Sequence, residues 1–567
     1  MQVNNIEKHS HNSNLPLNQL KQNRHGQQNN QQQNFTGALD VVPLALRFLD
    51  TSPAWGASMI DVSSMVLPRT IVDFQRGPDA GMETAVRESS SSVNHAMVGV
   101  YGGLMGLALA NGFNNKFGIK FNKIFAGDKI LENLGQSWHD EVKAGNKDPL
   151  RKHLEKVVAT IEGFDPSKSK DGWIGLSKEN QKLVVDRLEK DIRNSDSGKI
   201  SKDTEKYLHN IITTATGAES KMRLNVKGKE AVTGLDLKTT LENIYSVTKS
   251  FTTEKVSKAF EAASDIKSND FIKSMKKFNT MRSLAGVALG ATIGMSIQPI
   301  NMYITKKRTG QDKFVGGGEK DDSFAFKMRK SLVAGGFITG ALASITTKPK
   351  ELIPALQFRG MVPSINQFKA IYGLTIMSRF LSARNDNELR ECCVKDIIGF
   401  TNWLILGNVV TKAVANKLDK DLINITDENK GKGFFKWLNN SSVKTRDEVL
   451  LTSLKKHGVE TIKDGKALSY SEMLKKLPSA DKLTKVKLRK LDVAQVAGYL
   501  YSGLVLGVAL PKLNAYMTKT RMEKQAKLEA EKAQKAGLEP KKDTSKEIVV
   551  NSYFKEQMEL QNFMKAS

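Results

Sequence analysis

Two stretches of this chain repeat one pattern. Residues 290–308 read GATIGMSIQPINMYITKKR, and residues 503–521 read GLVLGVALPKLNAYMTKTR. The two align without a gap, seven of nineteen positions are identical, and three more pair Ile with Leu. Each stretch passes from an apolar run with glycines to Asn, Tyr, Thr and basic residues, which is typical of a helix that leaves a bilayer at the headgroups. We therefore predict two membrane helices that leave the bilayer in the same direction. The alignment leaves open whether they are duplicated or only share the usual form of such helices.

The ends of both stretches predict interfacial anchors. A Tyr ring is apolar while its hydroxyl needs water, and Lys and Arg side chains reach outward to headgroups. The predicted anchors are Tyr303, Lys306, Lys307, Arg308, Tyr516, Lys519 and Arg521.

Further uncharged blocks extend this interpretation. Residues 93–112 read VNHAMVGVYGGLMGLALANG, and twenty helical residues cover the roughly 30 Å hydrocarbon core. Residues 331–347 are a shorter apolar block, and residues 370–378 and 397–411 are weaker candidates. The sequence therefore predicts a mainly α, polytopic helical membrane protein with four to six spans and polar helical insertions.

Changes in polarity along the chain divide it into nine predicted segments. These are a disordered Asn/Gln-rich tail (1–36), short amphipathic or interfacial helices (37–92), membrane helix 1 (93–112), a polar helical domain (113–282), a membrane helical hairpin (283–347), weaker membrane helices (348–416), a basic polar insertion (417–491), a membrane helix (492–517) and a charged helical tail (518–567). Within the polar domain, RLNVKGKEAVTGLDL (223–237) predicts a turn-rich hairpin.

Glycines four residues apart recur in the apolar blocks. Residues at this spacing share one helix face, and a row of glycines lets another helix approach closely. In a water-soluble helix each such glycine would cost about 0.5–1 kcal/mol relative to Ala, so close approach is the expected gain. The predicted helix-packing residues are Gly99, Gly103, Gly106, Gly286, Gly290, Gly294, Gly336, Gly340, Gly503 and Gly507. The bland alternative is a glycine-rich helical core in a soluble protein.

Charge sets the expected orientation and partners. The connection 305–330 has eight Lys or Arg against four acids, and short basic loops stay on the cytoplasmic side. We therefore expect this loop and the C-terminal tail to be cytoplasmic. The net charge of +26 favours anionic membrane lipids as partners, and glycine faces allow a homo-oligomer. Nucleic-acid binding is disfavoured, because the charge is spread rather than clustered with aromatic residues.

The motif search indicates no chemistry. No GxSxG, CxxC or dinucleotide fingerprint occurs, and the histidines lack metal-ligand spacing. We expect no catalytic residue, cofactor or metal, hence a protein that is not an enzyme.

Three functional hypotheses remain. The first is a non-enzymatic membrane protein with a helix-packing scaffold or membrane-organising role, its basic regions contacting anionic lipid or a partner. The second is a transporter or channel with duplicated halves, which the lack of charge within the apolar blocks disfavours. The third is a membrane-inserting translocator or pore-type protein.

Overall fold

The structure is a computed structural model. It describes residues 46, 59, 61–164, 173–195, 198–216, 222–226, 229–232, 237–310, 312, 319–360, 363–402, 409–425, 433, 437, 441–463, 466–468, 470–477 and 481–535. The chain divides into the units Met1–Ala45 and Leu46–Ser567, and all described residues belong to the second. The predicted tail at 1–36, most of the interfacial segment before residue 61, and the tail after residue 535 lie outside the described residues.

Helices dominate the described residues, so the mainly α fold class is confirmed. In chain order they are α1 Leu67–Phe74, α2 Pro78–Ala96, α3 Val98–Phe117, α4 Asp128–Lys143, α5 Pro149–Val158, α6 Lys178–Asn194, α7 Lys202–Thr216, α8 Leu237–Phe251, α9 Glu254–Ala262, α10 Asp270–Thr309, α11 Phe324–Ala343, α12 Pro349–Ala355, α13 Ile365–Ser382, α14 Asp386–Cys392, α15 Val409–Leu418, α16 Arg446–Lys456, α17 Tyr470–Lys476, α18 Lys482–Tyr501 and α19 Leu510–Lys535. Wider π-helical turns are Asp61–Val66, Cys393–Ile397 and Ser502–Ala509, the last joining α18 to α19. Short helical turns occur at Phe121–Lys123, Ile398–Phe400 and Lys420–Leu422.

Among the described residues, short strands occur in the two polar insertions. They are β1 Ile161–Phe164, β2 Trp173–Gly175, β3 Met222–Val226, β4 Lys229–Val232, β5 Ile423–Ile425, β6 Ser441–Val443, β7 Ile462–Lys463 and β8 Lys466–Ala467. The first four form an antiparallel sheet in the order β2-β1-β3-β4, and β5-β6 and β7-β8 form two-stranded pairs. The hairpin predicted near residue 223 is present as β3-β4.

Two described helical stretches are long and apolar enough to cross a membrane. They are Asp270–Thr309 and Lys482–Lys532, and the α2–α3 pair, bent by 52°, is a third if it forms one span. The helix over the third apolar block, α11, is not among them, because Lys327, Arg329 and Lys330 lie in its first half. The described residues thus supply two to three candidate spans, where the sequence suggests four to six.

Helix α10 is the long axis of the bundle. Asn269 caps its start by accepting a hydrogen bond from the Ile272 amide, and Gly310 ends it with a left-handed backbone (φ 71°). Helices α2, α3 and α13 pack along it, and α11 packs on α13. The two helices of the predicted hairpin at 283–347, α10 and α11, therefore both pack against α13, a helix that follows them in the chain.

The first insertion, between α3 and α10, has its own apolar core. This core continues into the first turns of α10 through Phe271 and Phe278, so insertion and bundle are joined by a shared helix. Its fully buried side chains include Phe121, Leu131, Leu134, Trp138, Leu154, Leu188, Ile212, Leu241, Tyr245 and Phe251. Residues predicted as a polar helical domain thus form helices around a core, with one small sheet.

The second insertion, between α15 and α18, is smaller and touches the first. Its core consists of Leu450, Leu451, Leu454, Tyr470, Met473 and Leu477. The Asn210 side-chain amide of the first insertion donates to the Thr461 carbonyl at 3.3 Å, and Lys455 Nζ donates to the Thr214 carbonyl at 2.8 Å. Both insertions therefore lie at the same end of the bundle.

Candidate functional site

The glycine face of α10 lies inside the bundle. A Cβ placed on Gly286 would lie 3.0 Å from the Cα of Gly102, and one on Gly290 would lie 2.9 Å from Ile371 Cδ1. A Cβ on Gly294 would collide with the Thr375 side chain. Helix α10 thus approaches α3 at one glycine and α13 at the next two.

The other predicted packing glycines differ in their surroundings. On α3, Gly99 and Gly106 are buried, and a Cβ on Gly106 would lie 3.0 Å from Arg282 Cδ. Around Gly103, Gly336 and Gly340 a Cβ would meet no atom within 4 Å. Gly507 is buried and Gly503 half-buried. The glycines of α11 thus face open space rather than another described helix.

A dense group of charged side chains lies between α1, α2, α13 and α14. We call it the ion cluster. It comprises Arg69, Arg76, Arg87, Arg379, Arg384, Lys395, Asp73, Glu83, Glu88, Glu388, Glu391 and Asp396. Six bases face six acids, so the cluster is formally neutral. All are buried except Asp73 and Arg76, which are partly buried.

Arg379 occupies the centre of the ion cluster. Its Nη1 lies 3.1 Å from Asp396 Oδ1 and 3.6 Å from Glu88 Oε1, and its Nη2 donates to Ser91 Oγ at 2.8 Å. Lys395 Nζ also lies 3.3 Å from Glu88 Oε1. Burying charge is costly unless opposite charges and hydrogen bonds offset the loss of water. These pairs supply the offset, and they join α2 to α13 and to the π-helical turn Cys393–Ile397.

Two further arginines flank this centre, and each donates hydrogen bonds to at least two carboxylate oxygens. Arg76 donates to both carboxylate oxygens of Glu391, at 2.9 and 3.0 Å. Arg384 donates to Glu83 at 2.7 Å and to Glu388 at 2.9 Å. Burial by itself would lower the pKa of Arg76 and of Arg384, but the facing carboxylates raise both pKa values above the ordinary value. Both guanidinium groups are therefore permanently charged.

A small cavity adjoins the ion cluster. It has a volume of about 30 Å³, room for one or two water molecules, and is lined by Asp73, Arg76, Ala80, Glu83, Thr84, Arg87, Glu388, Glu391, Cys392 and Lys395. Within the described part of the chain, no three His, Cys, Asp or Glu side chains are grouped to hold a metal ion.

Local structure explains how the cluster is assembled. Helix α2 starts at Pro78 after Gly77, whose φ of 126° favours glycine. Helix α14 starts at the Asn385 cap, whose side chain accepts from the Glu388 amide at 2.9 Å. The π-helical turn over Ser502–Ala509 contains the Leu506 carbonyl that accepts from Arg69 Nε at 3.4 Å.

The predicted anchors lie at the ends of the long helices. Tyr303 and Tyr516 are each 67% exposed, while Asn301 and Asn514 on the same helices are buried. Lys306, Lys307 and Arg308 end α10, and Arg308 pairs with Asp79 at 3.1 Å. Lys519 and Arg521 lie on α19, which continues to Lys535.

Sequence reasoning missed the ion cluster. Its charges come from α1, α2, α13, α14 and the π-helical turn Cys393–Ile397, which are far apart in the chain. A signal was available: ETAVRE at 83–88 and ECCVKD at 391–396 share one charge pattern.

Within the part of the chain that the structure describes, these features define a mainly helical protein with two to three helices long and apolar enough to span a membrane and a buried, neutral ion cluster. A comparison with known protein families, curated proteins and solved structures gives no match for this chain.

Proposed function

We propose that this protein is a multi-pass integral membrane protein with a non-enzymatic, membrane-organising scaffold role. The observation that carries the proposal is the combination of glycine-mediated helix contacts inside the bundle with apolar side chains outside it. The exposed apolar side chains of the candidate spans include Val93, Val100, Leu104, Leu107, Leu284, Ile300, Ile304, Val493, Leu500, Leu504 and Leu513. From Val493 to Leu513 a helix rises by roughly 30 Å, the height of a bilayer's hydrocarbon core.

The basic helix ends support contact with anionic lipid. Residues 306–308 and the basic side chains of α19 follow the apolar stretches directly, and lysines close to a charged leaflet contribute about 1 kcal/mol each. In this proposal both basic ends face the cytoplasm and both insertions face the opposite side. The open glycines Gly336 and Gly340 are the surface through which copies of the chain would associate.

Alkaline carbonate extraction of cell membranes tests the proposal. An integral protein remains in the pellet, whereas recovery of the chain in the supernatant would rule the proposal out. Single cysteines are then placed at position 309 or 190 in a variant lacking Cys392 and Cys393. Their labelling shows which side of the membrane each position faces. Position 309 should react only after the membrane is opened, and position 190 in intact cells.

One observation favours a second candidate, a transporter or channel with duplicated halves. The sequence shows no charge inside the apolar blocks, but the ion cluster places buried charge and a cavity among the same helices. Buried ionisable groups within membrane helix bundles commonly mark solute or proton paths. Solute flux into proteoliposomes separates the candidates, because specific uptake that is lost in Asp396→Asn would favour the transporter over the scaffold.

A further inference from the structure

The ion cluster contains one residue pattern twice. Arg76, Glu83, Arg87, Glu88 and Asn94 recur, at constant spacing, as Arg384, Glu391, Lys395, Asp396 and Asn402. Each copy precedes a polar insertion and then one of the two long helices that carry the repeated Asn-x-Tyr-x-Thr-Lys-x-Arg ending. The same pieces therefore occur twice in the same order, with a longer insertion in the first copy. We infer that the chain consists of two copies of one helical unit, residues 61–309 and 369–521, which bind each other around a pseudo-twofold axis.

Reciprocal ion pairs carry this inference. Arg76 of the first unit binds Glu391 of the second, and Arg384 of the second unit binds Glu83 of the first. Arg76 corresponds to Arg384, and Glu83 to Glu391. A twofold axis requires this exchange, because each contact across it must occur again with the partners reversed.

The long helices repeat the same relation within each unit. Asn301 on α10 donates its side-chain amide to the Glu83 carbonyl at 2.9 Å, and Asn514 on α19 donates to the Glu391 carbonyl at 2.9 Å. Thr305 and Thr518, one turn further, are both buried. The two units thus share their internal geometry as well as their sequence pattern.

The first helical segment of each unit packs on the long helix of the other. Ser378 on α13 donates to the Met295 carbonyl of α10 at 2.5 Å. Arg69 on α1 donates to the Leu506 carbonyl of the second long helix at 3.4 Å. When the two units are aligned, the donors of these two contacts, and likewise their acceptors, lie within two positions of corresponding sites. The surface of each unit is therefore fitted to a second copy of that unit, and the ion cluster is the centre of the interface.

The insertions define the direction of the axis. Both lie at one end of the bundle and contact each other, so α10 and the α18–α19 helix run the same way. The units are therefore parallel copies, with the axis along the long helices. This inference does not depend on membrane insertion, because it uses only contacts inside the chain.

A cleavable full-length chain tests the interface. A protease recognition sequence inserted after residue 315 separates the two units once it is cut. With an affinity tag at the C-terminus, the N-terminal fragment should co-purify with the C-terminal fragment in mild detergent after cleavage. Separation of the wild-type fragments would overturn the inference.

Charge reversals test the reciprocity. Arg76→Glu and Arg384→Glu should each lower fragment recovery at least twofold, because each reversal places like charges on the two sides of the interface. Arg76→Glu with Glu391→Arg, and Arg384→Glu with Glu83→Arg, should restore it. Arg329→Glu is the control, because Arg329 is exposed and pairs with Asp386 inside the C-terminal fragment. Rescue at only one of the two pairs, or an equal loss in the control, would overturn the reciprocal arrangement. If a single reversal fails to accumulate, recovery of its paired variant still decides the outcome.

Discussion

His153 shows how far burial can move the titration of one side chain. Its ring lies 3.1 Å from Ser137 Oγ and 3.0 Å from Thr248 Oγ1, against Trp138 and Phe251, and is fully buried. Burial lowers the pKa of His153 to about 3, and Lys156 adds to the effect. The imidazole is therefore neutral in the folded first insertion.

A consequence is acid sensitivity of the first insertion. Unfolded histidine has a pKa of about 6.5, so below that pH the unfolded chain binds a proton that the folded chain does not. The free energy of unfolding should fall as pH drops from about 6.5 towards 3, by up to about 1.4 kcal/mol per pH unit. Urea titrations followed by tryptophan fluorescence at pH 7 and 5 measure this. His153→Gln should show a smaller difference between the two pH values, and an unchanged difference would contradict the assignment.

Arg379 and Asp396 form a buried pair whose members depend on each other. Removing one partner leaves an uncompensated buried charge, which costs about 3–5 kcal/mol, whereas removing both costs much less. Arg379→Met and Asp396→Leu should each lower the thermal midpoint in detergent, and the double variant should recover part of the loss. Strictly additive losses would show that the pair is not energetically coupled.

At the scale of elements, the spacing of glycines predicts which helices have small-residue faces, but it does not show which of these faces is buried. The sequence predicts small-residue faces on α3 and α10, because a spacing of four is read from neighbouring residues. It could not separate Gly286, which meets Gly102, from Gly103, which meets nothing. That difference depends on the rotation of each helix against its neighbours, which is set by packing.

Paired alanine substitutions test this difference. A Cβ at position 286 would press on the Gly102 backbone, which cannot turn away, so Gly286→Ala should lower the thermal midpoint by several degrees. Gly103→Ala is the matched control on α3, and it should be neutral or slightly stabilising because alanine favours the helix. Equal effects of the two substitutions would argue against close approach at Gly286.

At the scale of the whole molecule, the net charge of +26 and the basic helix ends predict a lipid preference. The protein should have a higher thermal midpoint in nanodiscs with anionic lipid than in neutral ones, and 0.5 M salt should reduce the difference. A variant with Lys519, Arg521, Lys524 and Lys527 changed to Gln should lose most of it. The same difference in the variant would exclude this part of α19 as the lipid contact.

The order of apolar helices and polar insertions along the chain can be predicted in part from composition. The apolar blocks identified the two long helices, because apolar runs are read from neighbouring residues. These blocks overestimated the spans among the described residues, since α11 carries three charges in its first half and α13 is a buried central helix.

The sequence by itself determined the mainly helical class and the two long apolar helices with Asn-Tyr-Thr-basic endings. Each of these follows from residues close together in the chain. Only the tertiary structure decided that charged side chains from 69 to 88 and from 379 to 396 meet in one neutral cluster. Charges so far apart in sequence can be buried only where the fold brings opposite partners within hydrogen-bonding distance, and no local pattern specifies that distance.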